Sequence, residues 1–163
     1  MAEETISTAI LTVATIIAAV VLLNAIYPSL YSASGSILSM SNTASSRMKT
    51  DMKVLTEYPG TDSNGRFVLV AWIKNTGSST IEIASLKNMD LYLYTGGGVA
   101  ARISQSSDTP GWSYTIMNGD GDNWKPGETL QMTLNYGSLL PKGTMKFRLA
   151  LDNGVFTEDT FSL

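Results

Sequence analysis

The feature that most constrains this chain is a long N-terminal stretch without a charged side chain. After Glu4 the next charged residue is Arg47, and residues 6–27 are apolar apart from Asn24 and a few hydroxyl side chains. Such a stretch is typical of a secretion signal, a membrane anchor, or a helix that becomes buried among copies of itself. The choice among these three determines most of the functional interpretation.

The start of the chain disfavours a cleaved secretory signal. A signal peptide begins with positive charge, followed by a short apolar run and a small-residue cleavage site. Here the first residues are Met-Ala-Glu-Glu, and the apolar run is longer than a signal requires. Residues 6–27 are long enough to cross a hydrocarbon core of about 30 Å, so a membrane anchor is the better interpretation.

An amphipathic continuation beyond the apolar run indicates more than anchoring. The sequence predicts one helix that ends at Pro59-Gly60 and is kinked or split at Pro28, which lacks a backbone N–H. If continuous over ~50 residues, this helix would be about 75 Å long. Its apolar stripe must pack against a partner, and identical helices would supply one. The stripe consists of Ile37, Met40, Ala44, Met48, Met52 and Leu55, at steps of three or four residues.

We therefore predict that copies of this helix polymerise, with lipid around them before assembly and neighbouring copies afterwards. Small and β-branched side chains allow close approach of helices, and a contact that does not close into a ring generates a helical filament. Asn24 fits either a hydrogen bond to a neighbouring copy or an ordinary position at the membrane boundary. The predicted packing positions are Ile6, Ile10, Val13, Ile17, Val20, Asn24, Ile37, Met40, Ala44, Met48 and Met52.

From Gly65 onward the apolar period changes to two, which indicates strands. Gly, Pro and Asn-Gly turn signals separate the segments, and about eight short strands predict an antiparallel immunoglobulin-like β-sandwich. The first of these strands is apolar on both faces, so we expect it to lie centrally. The fold class is α+β, with a helix over residues 1–57 and a sandwich over 58–163. The predicted strands are 66–75, 80–86, 89–94, 99–104, 112–117, 129–135, 144–151 and 155–163.

Composition excludes several kinds of chemistry. The chain has no Cys and no His, which removes disulfides, thiolate catalysis and the usual transition-metal ligands and catalytic bases. A net charge of −3 disfavours nucleic acid as a partner, because phosphate binding needs a basic patch. We therefore expect a structural or binding protein and no enzymatic activity.

One loop is a candidate metal site. Asp120, Asp122 and Asn123 lie in the glycine-containing segment Asn118-Gly-Asp-Gly-Asp-Asn, and calcium prefers several oxygen ligands. The twelve-residue calcium loop with its terminal glutamate is absent, so a polar turn is the alternative interpretation. No other cofactor is expected.

The order of helix and sandwich, with these sequences, resembles the archaeal flagellin (archaellin) superfamily, which has a type IV pilin-like plan. Four segments carry the resemblance, and together with the order of elements they extend it over essentially the whole chain. They are ISTAILTVATIIAAVVLLNAIYPSLY (6–31), SSRMKTDMKVL (45–55), VAWIKNTGSSTIEIASLKNMDLYLY (70–94) and WKPGETLQMTLN (124–135).

The resemblance implies a structural subunit of the archaellum, polymerised through its N-terminal helix and serving motility. No basic prepeptide precedes the apolar stretch, and no Asn lies in a glycosylation sequon. These departures and the acidic start look more like the stator members (FlaG type) than the propeller filament. Implied partners are identical subunits, the membrane before assembly, and the surface layer or other archaellum components, at the cell surface or in the pseudo-periplasm. An adhesive type IV pilin-like subunit or a membrane-anchored extracellular binding module is the alternative.

Overall fold

The computed structural model describes residues 2–96, 98, 100–117, 119 and 123–163. The chain divides into two compact units, residues 1–43 and residues 44–163. The first unit is helical, and the second contains the end of that helix and all of the strands. Each unit is described by itself.

The N-terminal part is one α-helix, α1, which extends from Ala2 to Lys49. Carboxylates in its first turn and basic residues in its last turn complement the helix dipole. Pro28 lies inside the helix, so the predicted helix is not split there. No described side chain of α1 is buried, so its apolar side chains are exposed.

The prediction that the helix continues through Leu55 is wrong. α1 ends at Lys49 and is followed by strand β1, Met52–Thr61, so the predicted boundary at 57/58 falls inside this strand. Met52 is therefore not a helix-packing residue; it is 4% exposed and belongs to the sandwich core. The physical reason is pairing: β1 is hydrogen-bonded antiparallel to the next strand along its length, which outweighs a weak three-four spacing.

The second unit is a sandwich of two four-stranded antiparallel sheets. Sheet A has the strand order β1-β2-β6-β5, and sheet B has the order β4-β3-β7-β8. This is the immunoglobulin arrangement with one extra strand, β4, at the edge of the second sheet, so the predicted fold class is confirmed. The remaining strands are β2 (Phe67–Asn75), β3 (Asp90–Tyr94), β4 (Ala100–Ile103), β5 (Gly111–Ile116), β6 (Thr129–Asn135), β7 (Thr144–Ala150) and β8 (Phe156–Ser162).

The predicted strand at 80–86 is also wrong, because most of this segment forms a short helix, α2, at Ile83–Lys87. Only Ile81 pairs in strand fashion, through an isolated bridge to Trp124. Leu86 is the residue of α2 that is buried in the core, and Met89, just past the end of α2, is buried there as well.

Strand β2 lies between β1 and β6, as its apolar sequence predicts. Every second residue from Phe67 to Asn75 is buried, and the alternate residues are partly buried. Trp112 and Trp124 are fully buried in the same core. The sandwich therefore buries its own apolar residues, unlike α1.

Strand β1 contains a β-bulge. Val54 pairs with Ile73 and Thr56 pairs with Trp72, so Leu55 is an extra residue without a partner on β2. After the bulge, Glu57 pairs with the buried Ala71 and lies on the inner face of the sheet. The bulge thus changes which residues of β1 face inward.

Candidate functional surfaces

The apolar surface of α1 is the largest candidate site. Ile10, Val13 and Ile17 are between 57% and 65% exposed, and the segment is long and apolar enough to cross a membrane by length and composition. The hydroxyls of Thr8 and Thr12 each donate a hydrogen bond of 2.8 Å to a backbone carbonyl of the same helix. These polar side chains are thus satisfied inside the helix, as a hydrocarbon environment requires.

The predicted packing positions on α1 form two stripes on different faces of the helix. At 100° per residue, positions 6, 10, 13, 17, 20 and 24 all lie within about 40° of a common line along the helix. Ile37 follows Asn24 by thirteen residues, which is a rotation of about 220°. A single straight contact cannot use both stripes, so the N-terminal stripe and the stripe that begins at Ile37 need separate partners.

Two aromatic residues mark the end of the apolar segment. Tyr27 and Tyr31 are 70% and 79% exposed and, with Leu30 and Ser34, line a shallow hollow on the helix surface. Tyrosine combines an apolar ring with a hydroxyl, which suits the boundary between hydrocarbon and water. Beyond this point the helix becomes rich in serine.

Within the second unit, a loop of the sandwich holds the end of α1. The carbonyl oxygen of Lys49 accepts hydrogen bonds from the backbone N–H groups of Ser78, at 2.8 Å, and Ser79, at 3.1 Å. The carbonyl of Asp51 accepts two more, from Thr76 and Gly77, both at 3.0 Å. These donors satisfy Lys49, one of the carbonyls that a helix end leaves unpaired.

The geometry of this loop depends on Gly77 and Asn75. A Cβ at Gly77 would lie 2.5 Å from the Lys49 carbonyl oxygen and 2.6 Å from the Asp51 nitrogen, so no other residue fits. Asn75 is fully buried, and its Nδ2 donates to the carbonyls of Ser79 and Trp124 at 3.0 Å each. Its Oδ1 accepts from the Gly77 N–H at 3.0 Å.

A second loop holds the same helix end. The Nε of Arg47 donates to the carbonyl of Asn153 at 2.7 Å, and Asn153 Nδ2 donates to the hydroxyl of Thr50 at 3.3 Å. We call the contacts of residues 47–51 with loops 75–79 and 152–154 the helix joint. Sequence reasoning missed it: the Asn75-Thr-Gly and Asp152-Asn-Gly motifs indicate turns, but nothing local shows that both turns meet one helix end.

The outer faces of the two sheets differ in charge. On sheet B, Arg102 pairs with Asp90 at 2.6 Å and Arg148 pairs with Glu158 at 2.7 Å. The hydrogen bond from Arg148 lowers the pKa of the Glu158 carboxyl. The outer face of sheet A carries mainly hydroxyl, amide and apolar side chains, such as the paired Trp72 and Gln131, together with the paired lysines Lys53 and Lys74.

Two carboxyl groups meet where the edges of the two sheets approach, at β1 and β8. Glu57 lies on the inner side of β1, and Asp159 lies on the inner side of β8, paired with the buried Phe147. Burial raises the pKa of Glu57, and the nearby charge of Asp159 raises it further. A raised pKa here is explained by structure alone and does not indicate catalysis.

The predicted metal loop is only partly covered by the structure. The Oδ1 of Asn123 accepts a hydrogen bond of 2.9 Å from the backbone N–H of Ile83, so this amide serves the first turn of α2. Asp120 and Asp122 lie outside the described residues. In the part of the chain that the structure describes, no three Asp or Glu side chains come together to hold a metal ion. Calcium binding stays a prediction.

Comparison with known proteins identifies the family. The profile of archaeal-type flagellin matches residues 2–161, which is nearly the whole chain. The chain belongs to the archaeal-type flagellin family. It is 31% identical over 165 residues to an uncharacterized protein of Archaeoglobus fulgidus, an alignment that covers 99% of both chains.

Solved structures show the same fold at lower identity. The archaellum periplasmic stator protein FlaG of Sulfolobus acidocaldarius superposes with a TM-score of 0.55 and 21% identity, covering 69% of this chain and 99% of FlaG. The stator complex of FlaF and FlaG from the same organism gives 0.54 and 19%, covering 68% and 87%. About two thirds of this chain therefore shares the fold of these solved structures.

Proposed function

We propose that this chain is a structural subunit of the archaellum, inserted in the membrane through α1 before it assembles with identical copies into a filament. The observation that carries the proposal is the apolar surface of residues 6–27. None of the side chains described in this segment is buried. Such a surface is stable in lipid or against other helices, and it is unstable in water. Family membership supports the archaellum as the setting.

Tyr27 and Tyr31 would divide the helix into a segment inside the membrane and a segment outside it. With Tyr27 and Tyr31 at the membrane surface, residues 6–26 lie in hydrocarbon and residues 32–49 stand outside it as a stalk about 27 Å long. The exposed stripe from Ile37 to Met48 would then lie in water unless neighbouring copies cover it. We therefore infer contacts between copies at two levels, inside the membrane and along the stalk.

A stator role, similar to that of FlaG, is preferred over a propeller role. The fold shared with FlaG supports this choice. The sandwich would lie in the pseudo-periplasm, where the surface layer or a FlaF-like protein are candidate partners. The stator role predicts short filaments that remain attached to membranes, whereas the propeller role predicts long free filaments.

A second candidate is an adhesive or anchored binding module. It is favoured by one observation, the exposed apolar side chains of β1: Tyr58 is 67% exposed and Leu55 is 54% exposed. Aromatic residues of this kind are enriched at binding surfaces. Such a module would remain monomeric in the membrane.

Electron microscopy of the full-length protein after detergent removal tests both proposals. We expect Val13→Asp and Ala18→Asp to abolish filaments, because an unpaired charge inside a helix bundle or bilayer is costly. The matched control Ser63→Asp, on an exposed turn, should assemble normally. Normal filaments from either helix variant would overturn the packed-helix proposal, and a monomeric wild type would favour the binding module.

A further inference from the structure

Asn24 places two polar groups in the apolar segment of α1, namely its backbone carbonyl and its side-chain amide. Pro28 has no backbone N–H, so in the continuous helix the carbonyl of Asn24 loses the donor that residue 28 normally supplies. The side-chain amide of Asn24 adds two donors and an acceptor. Among the residues that the structure describes, Asn24 has no side-chain hydrogen bond, whereas Thr8, Thr12 and Thr15 each donate to α1 itself at 2.8 Å.

These two groups can form a hydrogen bond between one copy of the chain and another. An amide N–H of one Asn24 can donate to the freed carbonyl of another, which satisfies both groups without water. Within one helix this bond is not available, because the side chain leans toward the helix N-terminus while the carbonyl points toward the C-terminus. Because the amide and the carbonyl lie at different heights along the helix axis, two copies at equal depth in the membrane cannot each donate to the other.

We propose that Asn24 and Pro28 form a one-way hydrogen-bonding site through which parallel copies of α1 associate. Each copy donates from Asn24 Nδ2 to the Asn24 carbonyl of a neighbour that is displaced by a few ångströms along the helix axis. A contact that is directional and displaced is heterologous, so it propagates into an open helical array and does not close as a dimer. The inference rests on the proposed insertion and assembly of α1 and names the contact that directs it.

The site can be dissected because donor and acceptor are removed by different substitutions. Asn24→Leu removes the donor and keeps the freed carbonyl. Pro28→Ala supplies an N–H that satisfies the carbonyl within the helix, so it removes the acceptor and keeps the amide. Thr12→Val is the matched control, since this hydroxyl already bonds to its own helix.

Association is measured by disulfide cross-linking of full-length chains in phosphatidylcholine vesicles. The natural chain has no cysteine, so a single Val20→Cys reports the face that contains Asn24, and Leu22→Cys reports the opposite face. We expect efficient cross-linking only at position 20. Asn24→Leu and Pro28→Ala should each weaken association about three- to tenfold, and Thr12→Val should not.

Mixing the two variants is the decisive step. An Asn24→Leu chain can only accept and a Pro28→Ala chain can only donate, so the mixture should give more pairwise cross-linking than either variant gives alone. Equal cross-linking at positions 20 and 22, unchanged association of Asn24→Leu, or no recovery in the mixture would each overturn the site, as expected if water or lipid headgroups satisfy Asn24. A wild type that does not associate at all would instead overturn the proposed function.

Discussion

The helix and the sandwich are both rich in apolar residues, but only the sandwich buries them within the chain. Leu23 on α1 is 62% exposed, whereas Leu91 on β3 is fully buried. The apolar core described for this chain lies entirely in residues 52–161. The sandwich thus carries its own folding free energy, while the free energy of α1 depends on what surrounds it.

The largest expected effect comes from making the same substitution, leucine to alanine, once in the sandwich and once in the helix. Leu91→Ala should lower the free energy of unfolding of the sandwich by about 3 kcal/mol, because it leaves a cavity in the core. Leu23→Ala should leave that free energy unchanged and weaken only membrane insertion or assembly. Urea unfolding followed by tryptophan fluorescence measures this, since all three tryptophans lie in the sandwich. Equal effects of the two variants would contradict the comparison.

The helix joint should be an exception to this contrast between helix and sandwich, because the last turn of α1 belongs to the sandwich unit. Gly77→Ala should destabilise the sandwich by about 2–3 kcal/mol, since its Cβ would overlap backbone atoms of Lys49 and Asp51. The control is Gly96→Ala, where no atom lies within 4 Å of the added carbon. The melting temperatures of both variants test this. An equally large decrease for Gly96→Ala would show that the loss of stability does not come from the helix joint.

A smaller effect concerns two of the glutamates on the sandwich, Glu57 and Glu158. The pKa of Glu57 is raised above its ordinary value of 4.5, so this group favours folding below pH 4.5 and loses that contribution as the pH rises through its folded pKa. The pKa of Glu158 is lowered by Arg148, so its contribution is present above pH 4.5 and is lost as the pH falls through the folded pKa.

The two neutral variants should therefore shift the melting temperature in opposite directions at pH 7. Glu57→Gln should raise it and Glu158→Gln should lower it slightly, because an exposed ion pair contributes little. Both differences should shrink as the pH falls below 4.5. A decrease for Glu57→Gln at pH 7 would show that its carboxylate is stabilised in the folded protein.

The smallest expected effect is at the loop that contains Asp120 and Asp122. If this loop is a polar turn, excess chelator and excess calcium should give the same melting temperature. A higher melting temperature with calcium, absent in Asp120→Asn, would establish the metal site, because a ligand that binds only the folded state stabilises it.

The sequence predicts most of the sandwich because alternation along a strand is a local pattern. Strands β2, β6 and β7 bury every second residue without interruption, and their predicted ranges agree with the structure within one residue at each end. The errors fall where a long-range contact decides the local structure. The spacing of Met48, Met52 and Leu55 suits a helix, but pairing with β2 makes the last two part of a strand.

The candidate surfaces were predictable to different degrees. The apolar face of α1 follows from composition, since no part of a small domain could cover it. The helix joint depends on bonds between Lys49 and Ser78 or between Arg47 and Asn153, which are far apart in the sequence. No periodicity reports such contacts, so only the folded structure reveals them.

The bulge in β1 has a consequence for sequence alignment. Leu55 is the extra residue, and every side chain from Thr56 to Thr61 keeps its face only because Leu55 is skipped in the pairing. A relative without the bulge can preserve the same inward and outward pattern with one residue fewer. Among related chains, we therefore expect a single-residue gap at this position and an unbroken pattern on both sides of it.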